Sequence, residues 1–202
     1  MKLLVFSDIH NDSEAARHIV EQSSNYDVLI GAGDFGVMRR NLQTCIETLR
    51  EITTPTVVVP GNNESIGELT KACEDWSAVR VIHGSGIHLL GRDFYGVVGG
   101  IPVTPFGSWS YDFSEQEARK LLRACPNGAV LVSHSPPLGA GDISETGAHL
   151  GSVALLETVE RTCPALVVCG HIHPSSGTRS SLDKVPVINA GPGGLEIELP
   201  DD

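Results

Sequence analysis

The chain lacks any apolar run approaching the roughly 20 residues that a membrane-spanning helix needs. Its first residues, Met1-Lys2, lead straight into Leu3-Leu4-Val5-Phe6 without a signal-peptide pattern. Neither membrane insertion nor export is expected. Cysteine is scarce: Cys45, Cys73, Cys125, Cys163 and Cys169 are odd in number and show no C-x-x-C spacing. Cys45 lies on a helical apolar stripe and Cys169 continues a strand, so both read as small buried hydrophobes, and a reducing cytoplasm fits. Basic residues are few as well, 14 against 25 acidic ones, for a net charge of −11. Neutralising a long nucleic acid takes a field of Lys and Arg that this chain does not supply. A small phosphate ester stays possible, because bound divalent cations would reverse the potential inside a pocket whatever the charge outside. Repeats, low-complexity tracts, linkers and composition breaks are missing too, and 202 residues suffice for a sizeable core. A single domain spanning 1–202 is expected.

What the chain does have is chemistry at the ends of apolar runs. Leu3–Phe6 is followed by Asp8-Ile9-His10, and Leu166–Cys169 by Gly170-His171-Ile172-His173. Side chains at i and i+2 of an extended segment share a side, so each pair can converge on an ion. Val28-Leu29-Ile30 runs into Gly33-Asp34, Thr56–Val59 into Gly61-Asn62-Asn63-Glu64, and Ala129–Val132 into Ser133-His134. In α/β sheets, sites form beyond the carboxyl ends of strands, where loops are free to hold ligands.

The spacing predicts helices from Asp12 or Ser13 through about Ser24, from about Arg39 to Glu51, and after the capping boxes Ser65–Glu68 and Ser114–Glu117. A further helix runs through Glu160. From Val79 to Gly99 the period shortens to an antiparallel meander, read as a second sheet. Gly99–Asp112 is a loop with Trp109 and Tyr111 near its end, suited to a pocket wall, and Val185–Ile188 and Leu195–Leu199 are closing strands around Gly191–Gly194.

Taken in order, Asp8-Ile9-His10, Gly33-Asp34, Gly61-Asn62-Asn63-Glu64, His134 and Gly170-His171-Ile172-His173 resemble the motifs of the calcineurin-like metallophosphoesterases over nearly the whole chain. The resemblance implies an α/β fold, a four-layer αββα sandwich of two mixed β-sheets flanked by helices. It also implies two divalent transition-metal ions: one on Asp8, His10 and His173, the other on Asn62, His134 and His171, with Asp34 bridging. Imidazole and oxygen donors without thiolates suit manganese, iron, zinc, nickel or cobalt, with manganese favoured. A metal-bridging hydroxide would attack phosphorus in line, with Asp34, Asn62, Asn63 and His134 as the catalytic set.

One position departs from the family. Where most members carry a His thought to protonate the leaving oxygen, this chain has Asn63, and a carboxamide cannot donate a full proton near pH 7. General acid catalysis is commonly worth about 10²–10⁴-fold, and its loss falls on poor leaving groups. The expected activity is therefore a phosphodiesterase for small or activated diesters rather than a phosphomonoesterase. The alternatives are a non-catalytic scaffold of the same fold and a metal-dependent nuclease. Trp109 and Tyr111 could stack on a nucleobase or simply pack the loop. Glu64 is expected to support its loop. His18, His83 and His88 read as ordinary polar residues. Arg39 and Arg40 could touch phosphate or form a solvated helix start, and Asp142 and His149 could reach substrate or cap a loop. Oligomeric state is left open.

Overall fold

A computed structural model of the chain describes residues 1–200. Among the described residues, eleven strands form two mixed sheets. In the first, β11 (Leu195–Glu198) runs antiparallel to β1 (Lys2–Phe6), which continues in parallel through β2 (Val28–Gly31), β3 (Thr56–Val58) and β4 (Val79–Val81). The second carries a parallel centre of β6 (Arg92–Val97), β7 (Val130–Ser133), β8 (Leu166–Cys169) and β10 (Val185–Asn189). Antiparallel strands β5 (Ser85–Leu89) and β9 (Arg179–Leu182) close its two edges.

Strands covered on both faces read as continuous apolar runs, and these do: β1, β2, β7 and β8 alternate their side chains between two different cores. Leu3, Val5, Val28 and Ile30 face Val130, Val132, Leu166 and Val168 between the sheets. Leu4, Phe6 and Leu29 face outward onto Ala16 and Ile19 of α1 (Ser13–Gln22), Cys45, Ile46 and Leu49 of α2 (Leu42–Leu49), and Leu69 of α3 (Ile66–Ala72). Leu131, Val167 and Cys169 meet Ala118 and Leu122 of α4 (Glu115–Leu122) and Ala154, Leu155 and Val159 of α5 (Val153–Thr162). The layers are thus helix, sheet, sheet, helix, as expected. Both predicted capping boxes form, Ser65 with Glu68 and Ser114 with Glu117. No helix among the described residues is long and apolar enough to cross a membrane.

Three expectations need correction. Val79–Val81 joins the first sheet, parallel to β3, because β3, α3 and β4 form a crossover unit and the meander begins only at β5. The helix expected from Arg39 starts at Leu42, since Met38, Arg39 and Asn41 adopt left-handed backbone angles that no helix accommodates. The two closing strands lie in different sheets: β10 pairs with β8, and the chain then crosses through Gly191–Gly194 to place β11 beside β1.

Candidate metal centre

The parallel strands of both sheets end at one rim, and the residues that follow them meet there. The backbone stitches the loops together: Asp8 N donates to Gly33 O at 2.9 Å, His10 N to Asp34 O at 2.9 Å, and Gly170 N to His134 O at 3.0 Å. His134 Nδ1 reaches Ala32 O in the opposite sheet at 2.8 Å, so its Nε2 is the nitrogen presented to the centre. The alternation argument for Asp8–His10 and His171–His173 does not hold, because β1 stops at Phe6 and β8 at Cys169. Asp8, His10, Asp34 and His171 all sit at positive φ, between 47° and 66°. Tight left-handed turns, rather than extended backbone, aim these side chains. Such conformations cost on the order of 1–3 kcal/mol each outside glycine and collect at functional sites.

Asp34 is central. Its Oδ2 lies 3.7 Å from His10 Nε2 and 3.4 Å from His134 Nε2, and it is only 2% exposed. Burial alone would raise its carboxyl; the charge and hydrogen bond of His134, with the backbone N–H of Asn63, outweigh this and hold it well below the usual carboxylate range. On one side, Asp8 Oδ1 stands 3.5 Å from His173 Nε2 and 3.9 Å from His10 Nε2, and the two imidazole Nε2 atoms face each other at 3.1 Å. On the other side, His134 Nε2 lies 3.1 Å from Asn62 Oδ1, and the His171 ring packs on His134 with centroids 4.9 Å apart. Burial, then the neighbouring His134, pushes His171 down to about 4, leaving it a neutral imidazole with a free lone pair. Burial opposes charge on His134 too, but Asp34 and Asp8 overcome it and raise that ring to about 9.

Among the described residues, two groups could each hold a cation: Asp8, His10 and His173, and Asp8, Asp34 and His134. The donor set fits hard or borderline divalent ions, and facing lone pairs from buried carboxylates and imidazoles are what a cation relieves. Asn62 and His171 border the second group through His134, Asn62 by its Oδ1 and His171 by its ring.

Asn63 is turned inward. Its Nδ2 donates to Asp34 Oδ2 at 2.5 Å, its backbone N to Asp34 Oδ1 at 2.8 Å, and its Oδ1 accepts from Met38 N at 2.6 Å. Glu64 supports the loop as expected: its carboxyl accepts from the backbone N of Asp34, Gly61 and Gly36 at 2.7, 2.8 and 3.1 Å, with Phe35 N at 3.3 Å. Asp142 caps its loop through Gly139 N and Gly151 N and holds His149 Nδ1 at 2.7 Å. Arg39 pairs with Glu68 at 2.8 Å. Sequence reasoning missed Ser7, whose Oγ donates to Asp8 Oδ2 at 2.6 Å, and Ser110, whose Oγ accepts from Asn62 Nδ2 at 3.0 Å. Adjacency to Asp8 could have flagged Ser7; nothing in the sequence marks Ser110, which arrives from a loop 48 residues away.

The family model of the calcineurin-like phosphoesterase superfamily domain matches residues 1–198. The chain belongs to this superfamily. Among curated relatives of this chain, the Caenorhabditis elegans UPF0046 protein T07D4.2 is 37% identical over 95 residues, 45% of this chain. The UPF0046 protein K07C11.7 of the same organism is 29% identical over 90% of this chain. The aligned stretches cover 23% and 66% of those two proteins. The phosphoesterase fold is shared with TT1561 of Thermus thermophilus, at 19% identity and a TM-score of 0.77, over 95% of this chain and 90% of that one.

Proposed function

We propose that this chain is a metal-dependent phosphodiesterase acting on small or activated phosphate diesters. The observation that carries the reading is the position of Asp34, whose Oδ2 lies between His10 Nε2 and His134 Nε2 with every neighbouring donor set at the same rim. Asp8, His10 and His173 would hold one ion, Asn62, His134 and His171 the other, and Asp34 would serve both. Divalent ions bound there would acidify water for attack at phosphorus and neutralise the phosphate oxygens. The chain's own residues supply orientation. Asn63 and Glu64 fix the Asp34 loop from two sides, the Ala32 carbonyl fixes the His134 tautomer, and Ser7 fixes Asp8.

Preference for diesters with good leaving groups follows from Asn63. It is bonded to Asp34 through Nδ2 and to Met38 through its oxygen, and a carboxamide has no proton acidic enough to give a departing alkoxide. Manganese is the first ion to try. The test is hydrolysis of bis-p-nitrophenyl phosphate beside p-nitrophenyl phosphate, on metal-stripped protein refilled with manganese, nickel or zinc, with Asp34→Ala as control. Diester turnover that needs both metal and Asp34 is expected; no turnover with any metal would refute the proposal in favour of a scaffold.

A further inference from the structure

The Gly99–Asp112 loop presents an aromatic surface that the proposed chemistry does not use. Phe106 and Trp109 lie nearly parallel, with ring centroids 5.8 Å apart and planes inclined by 14°. Phe106 is 51% exposed and the neighbouring Val103 62%. Tyr111, by contrast, packs edge-on against Phe113, at 5.0 Å and 80°, as part of the core. The two aromatics singled out in the sequence, both half-buried, therefore have different surroundings: Tyr111 packs on the core, while Trp109 stacks on the exposed Phe106.

The stack is anchored to the candidate centre. Ser110, directly after Trp109, accepts from Asn62 Nδ2 at 3.0 Å, and Tyr111 N donates to Asn62 O at 2.9 Å. The loop is stiffened from within by Asp112, which accepts from Ser110 Oγ at 2.7 Å, Thr104 Oγ1 at 2.6 Å and Thr104 N at 2.8 Å. Trp109 is thus the immediate chain neighbour of the residue that holds Asn62, their Cα atoms about 3.8 Å apart. An exposed Phe106 ring stacked on a half-buried indole, on a braced loop, offers a π-face on which a flat ring can stack.

We propose that the Phe106–Trp109 pair is a platform for a planar aromatic substituent of the phosphate ester, a nucleobase or an aryl ring, on the group that stays attached to phosphorus. The inference rests on the phosphodiesterase reading and names the substrate class of the same site. Stacking on aromatic side chains is worth enough to change affinity by about 5- to 100-fold on removal.

Three diesters with one leaving group test it: the p-nitrophenyl esters of thymidine 5′-phosphate, phenyl phosphate and methyl phosphate. Trp109→Ala is expected to cut the preference for a ring-bearing ester over the methyl ester by about 5- to 100-fold in kcat/KM, with Trp109→Phe largely restoring it. Loss confined to the thymidine arm identifies a nucleobase, and loss confined to the phenyl arm an aryl ring; equal losses on all three esters overturn the platform. Binding is read separately by quenching of tryptophan fluorescence with thymidine monophosphate. Saturable quenching is expected in the wild type and not in Trp109→Phe, whose remaining Trp76 is buried; the same quench in both proteins, or none in the wild type, counts against the proposal. If the wild type turns over none of the esters yet shows the Trp109 quench, the phosphodiesterase reading fails and the platform stands.

Discussion

Replacing Asn63 with His separates two roles that meet at one residue. The native side chain bridges Asp34 Oδ2 and Met38 N, at 2.5 and 2.6 Å, and is buried. Losing a hydrogen bond to a charged group costs about 1.5–3 kcal/mol, and the Met38 N–H adds about 1 kcal/mol, near the low end because that residue is exposed. The variant is therefore expected to lose about 2.5–4 kcal/mol, or roughly 5–15 °C of Tm for a chain of this size. Against that stands the chemical gain. An imidazole that reaches the leaving oxygen supplies a proton worth about 10²–10⁴-fold for a poor leaving group. It supplies little for p-nitrophenolate, which departs as an anion unaided. The informative quantity is the ratio of rates on diphenyl phosphate and bis-p-nitrophenyl phosphate, because the folded fraction cancels within one preparation. We expect Asn63→His to raise that ratio at least tenfold while Tm falls. A ratio that does not move would show that the missing acid is not what limits this site, and an unchanged Tm would show that the Asp34 bridge carries no weight.

Two further outcomes follow from the same geometry. A Cβ at Gly61 would overlap the carboxylate and backbone N of Asp34, so Gly61→Ala should cost about 1–3 kcal/mol of stability from overpacking. It should also lower diesterase activity by about 10²-fold through misplacement of Asp34, and wild-type activity in this variant would refute the tight approach. His134, held at about 9 by Asp34 and Asp8 against its burial, carries a proton at neutral pH that a cation on Nε2 must displace. Apparent manganese affinity should climb by roughly tenfold per pH unit across the neutral range for one proton released. Calorimetry in buffers of different ionisation enthalpy reads this directly, and zero proton release would contradict the assignment.

Much of this arrangement was legible because burial writes itself into sequence. Strands covered on both faces must be apolar throughout, so the polar residue ending each run stood out at Asp8, Asp34, Asn62, His134 and His171. Capping boxes reported α3 and α4 for a local reason, since their donors and acceptors lie three residues apart. The misreadings share a different cause. A three-residue strand such as Val79–Val81 does not disclose its partner, and only the crossover through α3 assigns it to β3. Arg179–Leu182 is a polar edge strand with alternating exposure and no apolar run to announce it. The positive φ of Asp8, His10 and His171 is imposed by tertiary contacts, so an extended reading of those pairs reached the right meeting point by the wrong backbone. Ser110 and Phe106 acquire their significance only once the loop has folded against Asn62.

The centre is poorly explained as a device for stability. Two buried carboxylates, Asp8 and Asp34, and a fully buried His134 must be desolvated, and a buried ionic cluster is often no better than an apolar core of the same volume. Four of its residues also occupy left-handed backbone conformations that a purely structural turn would assign to glycine. The surrounding architecture is organised to tolerate that cost. Glu64 gathers backbone N–H groups behind Asp34, Ser7 ties Asp8 to Gly191 through bonds of 2.6 and 2.9 Å, and the sheets on either side contribute apolar cores that do not depend on the rim. Removing Asp34 should therefore abolish chemistry while leaving both sheets intact. This separation is what allows the Asp34→Ala control to distinguish a failed catalyst from a failed fold.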